Sequence, residues 1–245
     1  MKLQFGITGM VAYPLFPILS PKVFNMRVLA FDTTTSACSV AICVDGKTAG
    51  SFHEPMIHGQ AEALVPAIEK TMTEAGITYA DLDRIAVTVG PGSFTGVRVG
   101  LATARGIGVA TGQPVIGVLT TEVIAAETHN EPDQSTAVAI DARRAEVYLQ
   151  CFAPDGSASG APLCLLPKDA ATVLNSQSWI LVGDGAARVH PHAKSSVVLG
   201  DVTVANAAIL AQLAASRPLP ESPPGPVYVR PPDAIVPKHG GRLRP

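Results

Sequence analysis

Gly90-Pro91-Gly92-Ser93-Phe94-Thr95-Gly96-Val97-Arg98 joins an apolar strand to a glycine-rich helix. Before it, Arg84-Ile85-Ala86-Val87-Thr88-Val89 is rich in β-branched residues and reads as a buried strand ending at Gly90. After it, Ser93 or Thr95 can cap a helix running from about Gly96 to Thr111, which Gly112 and Pro114 terminate. Gly96, Gly100, Ala104 and Gly108 recur every fourth position and form a ridge almost without side chains. Glycine costs about 1 kcal/mol against alanine inside a helix, so a close contact along that ridge must offset the loss. The loop lacks the Gly-Lys-Ser/Thr ending of a Walker phosphate loop, and Ser93 lacks the flanking glycines of a nucleophile elbow. A tight turn beside a packing contact remains, with an anion site at the helix N-terminus as the alternative.

Outward from this loop the chain alternates strands and helices. Arg27–Asp32 and Ala37–Val44 read as strands around the polar turn Thr33-Thr34-Thr35-Ser36, and Asp45-Gly46 signals a hairpin returning through Lys47–His53. A helix follows over Gln60–Ala75, with Leu64, Ile68 and Met72 on one face, Pro66 expected to kink its first turns, and Gly76 as its stop. Pro114–Leu119 reads as the next strand. A second cycle then echoes the first: Thr136–Asp141 is an apolar strand ending in aspartate, Ala142-Arg143-Arg144 a polar turn, and Ala145–Phe152 a second apolar strand. The echo predicts two related α/β lobes. Trp179–Val182 reads as a strand before the turn Gly183-Asp184-Gly185, Val202–Ala215 as a helix, and the proline-rich segment from Arg217 as an extended tail that docks through Tyr228-Val229-Arg230-Pro231.

With 245 residues, 47% apolar and 16% charged, the chain can bury a substantial core. A net charge of −2 argues against a stand-alone nucleic-acid binder. Cys38, Cys43, Cys151 and Cys164 lack the paired spacing of a zinc or redox motif and read as reduced thiols of a cytoplasmic protein. The histidines include no i, i+4 pair, although His190 and His192 can meet on a strand or loop; no metal site is expected. Residues 1–25 are apolar but broken by Pro14, Pro17 and Pro21, short of the roughly 20 residues a membrane helix needs. They are expected to be a disordered or misassigned extension, with the folded chain opening at Met26.

Phe31-Asp32-Thr33-Thr34, the Gly90–Arg98 loop, Asp141-Ala142-Arg143-Arg144-Ala145-Glu146-Val147-Tyr148 and Tyr228-Val229-Arg230-Pro231 occur in the order seen in the TsaB (YeaZ) family. Over about Met26–Val236 the chain resembles that family. The resemblance implies a two-lobed actin-like ATPase fold, with an N-terminal lobe over 26–122, a C-terminal lobe over 123–236 and a mobile tail over 237–245. It also implies a non-catalytic subunit that pairs with a TsaD-like catalytic subunit, joined by a TsaE-like ATPase, to make N6-threonylcarbamoyladenosine at position 37 of tRNAs reading A-starting codons. No catalytic residue, metal or cofactor of its own is then expected. ATP or ADP at the interface of the complex, and a homodimer when the partner is absent, stay open, and tRNA is met only through the complex.

In actin-like ATPases aspartates at the two strand ends help hold metal-nucleotide, and Asp32 and Asp141 stand where those would be; Gly183-Asp184-Gly185 reads as a plain strand-to-helix turn, with a remnant adenine-side loop as the alternative. The first turn departs from that pattern: Thr33-Thr34-Thr35 has no glycine where a phosphate needs close approach. Each aspartate therefore has two readings, turn-making or metal-nucleotide contact. Arg143, Arg144 and Glu146 read as a surface cluster or a partner contact, and His58 as a helix cap or partner contact. The ridge of Gly96, Gly100, Ala104 and Gly108 and the face of Leu64, Ile68 and Met72 are expected to pair with the partner's helices. Rival readings are an actin-fold phosphotransferase or metalloenzyme, and a self-associating module.

Overall fold

The computed structural model describes residues 26–128, 134–175, 177–193 and 197–230. The expected extension 1–25, Pro231 and the tail 237–245 lie outside them. The described residues open with β1 (Arg27–Asp32), β2 (Ala37–Val44) and β3 (Lys47–Pro55). The β2–β3 hairpin turns where expected, with Asp45 and Gly46 both left-handed at φ 52° and 75°. Helix α1 (Gln60–Ala75) runs unbroken through Pro66 and stops at left-handed Gly76, whose N–H reaches the Met72 and Thr73 carbonyls. Then come β4 (Arg84–Thr88), α2 (Phe94–Thr111) and β5 (Val115–Val118). They complete a mixed sheet of order β3-β2-β1-β4-β5, antiparallel through β2 and β3 and parallel through β1, β4 and β5.

After α3 (Thr120–Thr128) the second half repeats that plan. It contains β6 (Ser135–Asp141), β7 (Val147–Phe152), β8 (Leu163–Leu165), α4 (Pro167–Leu174), β9 (Trp179–Val182), α5 (Ala186–Val189) and β10 (Val197–Leu199). The sheet order β10-β9-β6-β7-β8 has β6 antiparallel to β7 and parallel to β9, as β1 is to β2 and β4. The echo read in the sequence is thus a repeated topology, and the chain is a two-lobed α/β protein. The short elements β8, β10 and α3 to α5 carry too few residues for a periodic signal and were not anticipated.

Helix α6 (Ala207–Ser216) starts later than the expected Val202, because Asn206 caps it through the Ala208 N–H at 2.9 Å. It comes from the second half of the chain yet packs on β1 and β2. Helix α3 packs on β6 and straddles the expected lobe boundary at 122/123. One apolar core therefore runs between the sheets: Val28, Ala30 and Ala86 meet Val123, Ile124, Leu210 and Ala211, which meet Val138, Ile140 and Val182. Sandwiching explains why the interiors of β1 (Val28–Phe31) and β6 (Ala137–Ile140) are continuously apolar instead of alternating.

Candidate functional site

The Gly90–Arg98 loop and the Asp32–Thr35 turn, far apart in sequence, pack into one unit. The Ser93 N–H donates to the Thr34 carbonyl at 2.8 Å, and the Thr33 hydroxyl donates to the Gly96 carbonyl at 2.7 Å. Any β-carbon on Gly92 or Gly96 would run into the Thr34 or Thr33 backbone. These glycines serve a backbone-to-backbone approach within the chain. Ser93 caps α2, its Oγ accepting from the Gly96 N–H at 3.3 Å. The Ser93 and Gly96 amides at the start of α2 are thus engaged within the chain.

Asp32 is wholly buried. One carboxylate oxygen accepts from the Thr34 N–H at 3.0 Å, the Thr34 hydroxyl at 2.5 Å and the Thr88 hydroxyl at 2.6 Å; the other accepts from the Thr35 hydroxyl at 2.8 Å. Four donors from the chain hold it, three on one oxygen and one on the other, a geometry that matches the turn-making reading. Thr120 extends the cluster, its hydroxyl 2.8 Å from that of Thr34 and its N–H on the Gly90 carbonyl.

Asp141 has a parallel role in the second lobe. Its carboxylate accepts from the Arg143 N–H at 2.8 Å and pairs with Arg188 at 2.7 Å. The Arg188 guanidinium also donates to the Arg144, Ala145 and Glu146 carbonyls at 2.7, 2.9 and 3.2 Å, closing the whole β6–β7 turn. Arg143 itself holds φ 60°. Gly183, at φ 97°, lies so close to the Ala139 backbone that no side chain fits. Beside it Asp184 accepts from the Asp141 N–H at 2.8 Å, pairs with Arg143 at 3.7 Å and reaches the Ser36 hydroxyl of the first lobe at 3.4 Å. Burial raises the Asp184 carboxyl above its usual range, opposed by the Asp141 N–H and Arg143. The polar groups of the two regions are thus engaged mostly within their own lobes, with the Ser36–Asp184 bond reaching from one to the other.

Burial also pushes the Cys38 and Cys151 thiols up to about 11, leaving them protonated at neutral pH. The four cysteines are free. Among the described residues no group of three His, Cys, Asp or Glu side chains is placed to hold a metal. His190 Nε2 lies 3.2 Å from the Val197 carbonyl. His58 does not cap α1; Gly59 holds that position without a side-chain bond. Among the described residues no helix is long and apolar enough to cross a membrane.

The residues expected to face a partner need correction. Leu64, Ile68 and Met72 are buried against Leu29, Phe31, Ile42 and Ile85 of the first sheet. The ridge also points inward: Gly96 and Gly100 meet Thr33, Ala104 is fully buried, and Gly108 abuts Val115 and Gln113. Periodicity identified the faces that are covered, but this chain's own sheet covers them. The outward faces of the two helices instead present Val65 on α1 and Phe94, Arg98 and Val109 on α2. Arg98 stacks on Phe94 at 3.5 Å and donates to the Tyr228 hydroxyl at 3.0 Å. Arg188, Thr88 and the cross-cleft reach of Asp184 were missed in the sequence, since their partners lie 42 to 148 residues away.

A profile of the family described as TsaD, tRNA N6-adenosine threonylcarbamoyltransferase, matches residues 55–157. The tRNA threonylcarbamoyladenosine biosynthesis protein TsaB of Escherichia coli is 38% identical over 50% of this chain, a match spanning 53% of that relative's length. The TsaB protein of Haemophilus influenzae is 30% identical over 78% of this chain and 85% of its own. A crystal structure described as an uncharacterized protein with similarity to peptidase YeaZ, from Pseudomonas aeruginosa, superposes with a TM-score of 0.74 at 30% identity, over 84% of this chain and 100% of the other. The activator of 2-hydroxyisocaproyl-CoA dehydratase from Clostridium difficile, with bound ADPNP, covers 77% of this chain and 94% of its own at TM-score 0.50 and 10% identity, a likeness of fold alone. Two repeated mixed sheets, motifs packed as one unit and relatives matched across most of the described residues lead to one conclusion: this chain belongs to the TsaB (YeaZ) family, on an actin-like ATPase fold.

Proposed function

We propose that this chain is a non-catalytic scaffold and activator subunit, acting in the cytoplasm in the formation of N6-threonylcarbamoyladenosine at position 37 of tRNAs reading A-starting codons. It pairs with a TsaD-like catalytic subunit, with a TsaE-like ATPase joining the pair, and meets tRNA only through that complex. The observation that carries the reading is Asp32: the carboxylate standing where a metal-nucleotide ligand would be is held by Thr34, Thr35 and Thr88 and has no exposed surface. Opening it to a magnesium ion would strip those donors from a buried anion. The protonated Cys38 and Cys151 thiols also make poor nucleophiles.

Pairing falls to the outward faces of α1 and α2, where Val65, Phe94 and Val109 are exposed apolar groups. ATP or ADP at the interface is compatible with this arrangement, because the chain's own cleft need not supply the nucleotide's ligands. The test is reconstitution with and without each subunit. The chain alone is expected to turn over no ATP and modify no tRNA, while omitting it from the complete mixture abolishes modification. ATP turnover by the purified chain alone overturns the scaffold reading.

A further inference from the structure

The segment after α6 forms neither helix nor strand, yet it is fastened along its length. Arg217 donates to the Gly117 carbonyl at 3.1 Å and pairs with Glu122 at 2.8 Å. The Pro224 ring lies over Gly117, where a β-carbon would be 2.6 Å away, and its carbonyl accepts from Arg105 at 2.7 Å. The Val227 N–H donates to the Val89 carbonyl at 2.8 Å, and Tyr228 packs on Phe94 with ring centroids 5.6 Å apart. All these fastenings lie on the first sheet and its helices or on the linking helix α3. Then the chain crosses over. Val229 packs against the core shared by both sheets, and Arg230 pairs with Glu146 at 2.6 Å and reaches the Ala142 carbonyl at 3.4 Å, both in the β6–β7 turn. The Arg230 and Glu146 side chains are only 18% and 34% exposed, which shields the charge-assisted bond from solvent.

We infer that residues 217–230 are an interlobe brace: a strap fastened along the first lobe whose final residue, Arg230, locks the β6–β7 turn of the second lobe in a fixed position relative to the Gly90–Arg98 loop. The physical need lies beside the Asp32–Thr35 turn, where the side-chain link to the second lobe is the long Ser36–Asp184 bond of 3.4 Å. The lobes are otherwise joined deeper, through α3 and α6, and a pair of sheets joined at one level can rock about it. Fastening at a second, separate level removes that freedom. The brace is argued from this chain's own contacts and does not depend on the proposed pairing.

The test measures interlobe distance in the full-length chain by double electron–electron resonance, with spin labels coupled to bio-orthogonal residues replacing the exposed Glu54 on β3 and Lys168 on α4. Arg230→Met keeps the aliphatic stem and removes the lock, and is expected to broaden the distance distribution roughly twofold. Glu146→Gln, which keeps an acceptor without the charge, should broaden it less. Arg105→Met loosens the strap within the first lobe only and should leave the distribution unchanged. An unchanged distribution in a folded Arg230→Met chain overturns the brace. Equal broadening by Arg105→Met and Arg230→Met also overturns it, as that signals general loosening.

Discussion

The Thr33 carbonyl oxygen occupies the space that a β-carbon on Gly96 would need, so the first strand-end turn and the start of α2 touch backbone to backbone. Both groups are parts of well-packed elements, so neither can yield cheaply. Gly96→Ala is expected to destabilise the chain by about 3 kcal/mol or more, at the upper end of overpacking effects. Gly100→Leu should do likewise, because even a β-carbon there lies 3.0 Å from the Thr33 hydroxyl and 3.2 Å from Val87. Urea unfolding of both variants checks this. A stably folded Gly100→Leu with only weakened partner binding would return the ridge to the surface.

Gly106 provides the contrast on the same helix. A β-carbon there meets nothing within 4 Å and the position is exposed. Gly106→Ala should therefore stabilise the chain by about 0.5–1 kcal/mol, through the lower entropy of the unfolded state. Thermal unfolding of the isolated chain is the measurement.

For Asp32→Asn the expected effect is on stability. The amide nitrogen would put a donor either opposite the Thr35 hydroxyl or opposite the Thr34 N–H and the Thr34 and Thr88 hydroxyls, and the facing hydroxyls must rotate to compensate. A loss of about 1–3 kcal/mol is expected, with little change in activity of the assembled complex. Large activity loss in a normally assembled complex would instead give this lobe a part in the chemistry.

Asp184 yields a pH dependence with an unusual sign. Burial raises its folded pKa above the ordinary value of 3.8, so the folded state binds the proton more tightly than the unfolded state. Its contribution is fully present below 3.8 and is lost as pH rises through the raised folded value. Because other carboxylates titrate in the same range, the parent is compared with Asp184→Asn. The stability of the parent relative to the variant should fall as pH rises from the ordinary carboxylate range through the raised folded value. A difference that rises over that range contradicts the assignment.

Arg188 forks onto one carboxylate and three carbonyls of the β6–β7 turn. Lysine keeps the charge but cannot reproduce the planar fork. Arg188→Lys should cost about 1–3 kcal/mol and accelerate amide exchange across residues 141–146. Unchanged exchange there would remove Arg188 from the role of turn closure.

Local chemistry made much of the fold legible. Asp45-Gly46 fixed a hairpin because two consecutive left-handed residues are needed, Gly76 and Gly112 ended helices for the same reason, and the repeated strand-Asp-turn-strand pattern foretold the repeated sheet order. The Asp32 turn was half legible: Thr34 and Thr35 lie within three residues of it, while Thr88 is 56 residues away. Asp184 behaved similarly, recognisable in a glycine turn but not as the residue reaching Ser36 across 148 positions.

By itself, the sequence determined where the chain turns, which helix faces are covered and which family motifs it carries, since backbone φ requirements and apolar periodicity are local properties. Only the tertiary structure decided what covers those faces. An apolar stripe such as Leu64, Ile68 and Met72, or a glycine ridge such as Gly96 to Gly108, requires burial without naming the neighbour, because the hydrophobic effect is non-directional. The neighbour proved to be the chain's own first sheet, and α6, last among the helices, proved to cover that sheet's other side. Such choices depend on which distant segments meet, and pairings like Arg230 with Glu146 exist only once both lobes have folded.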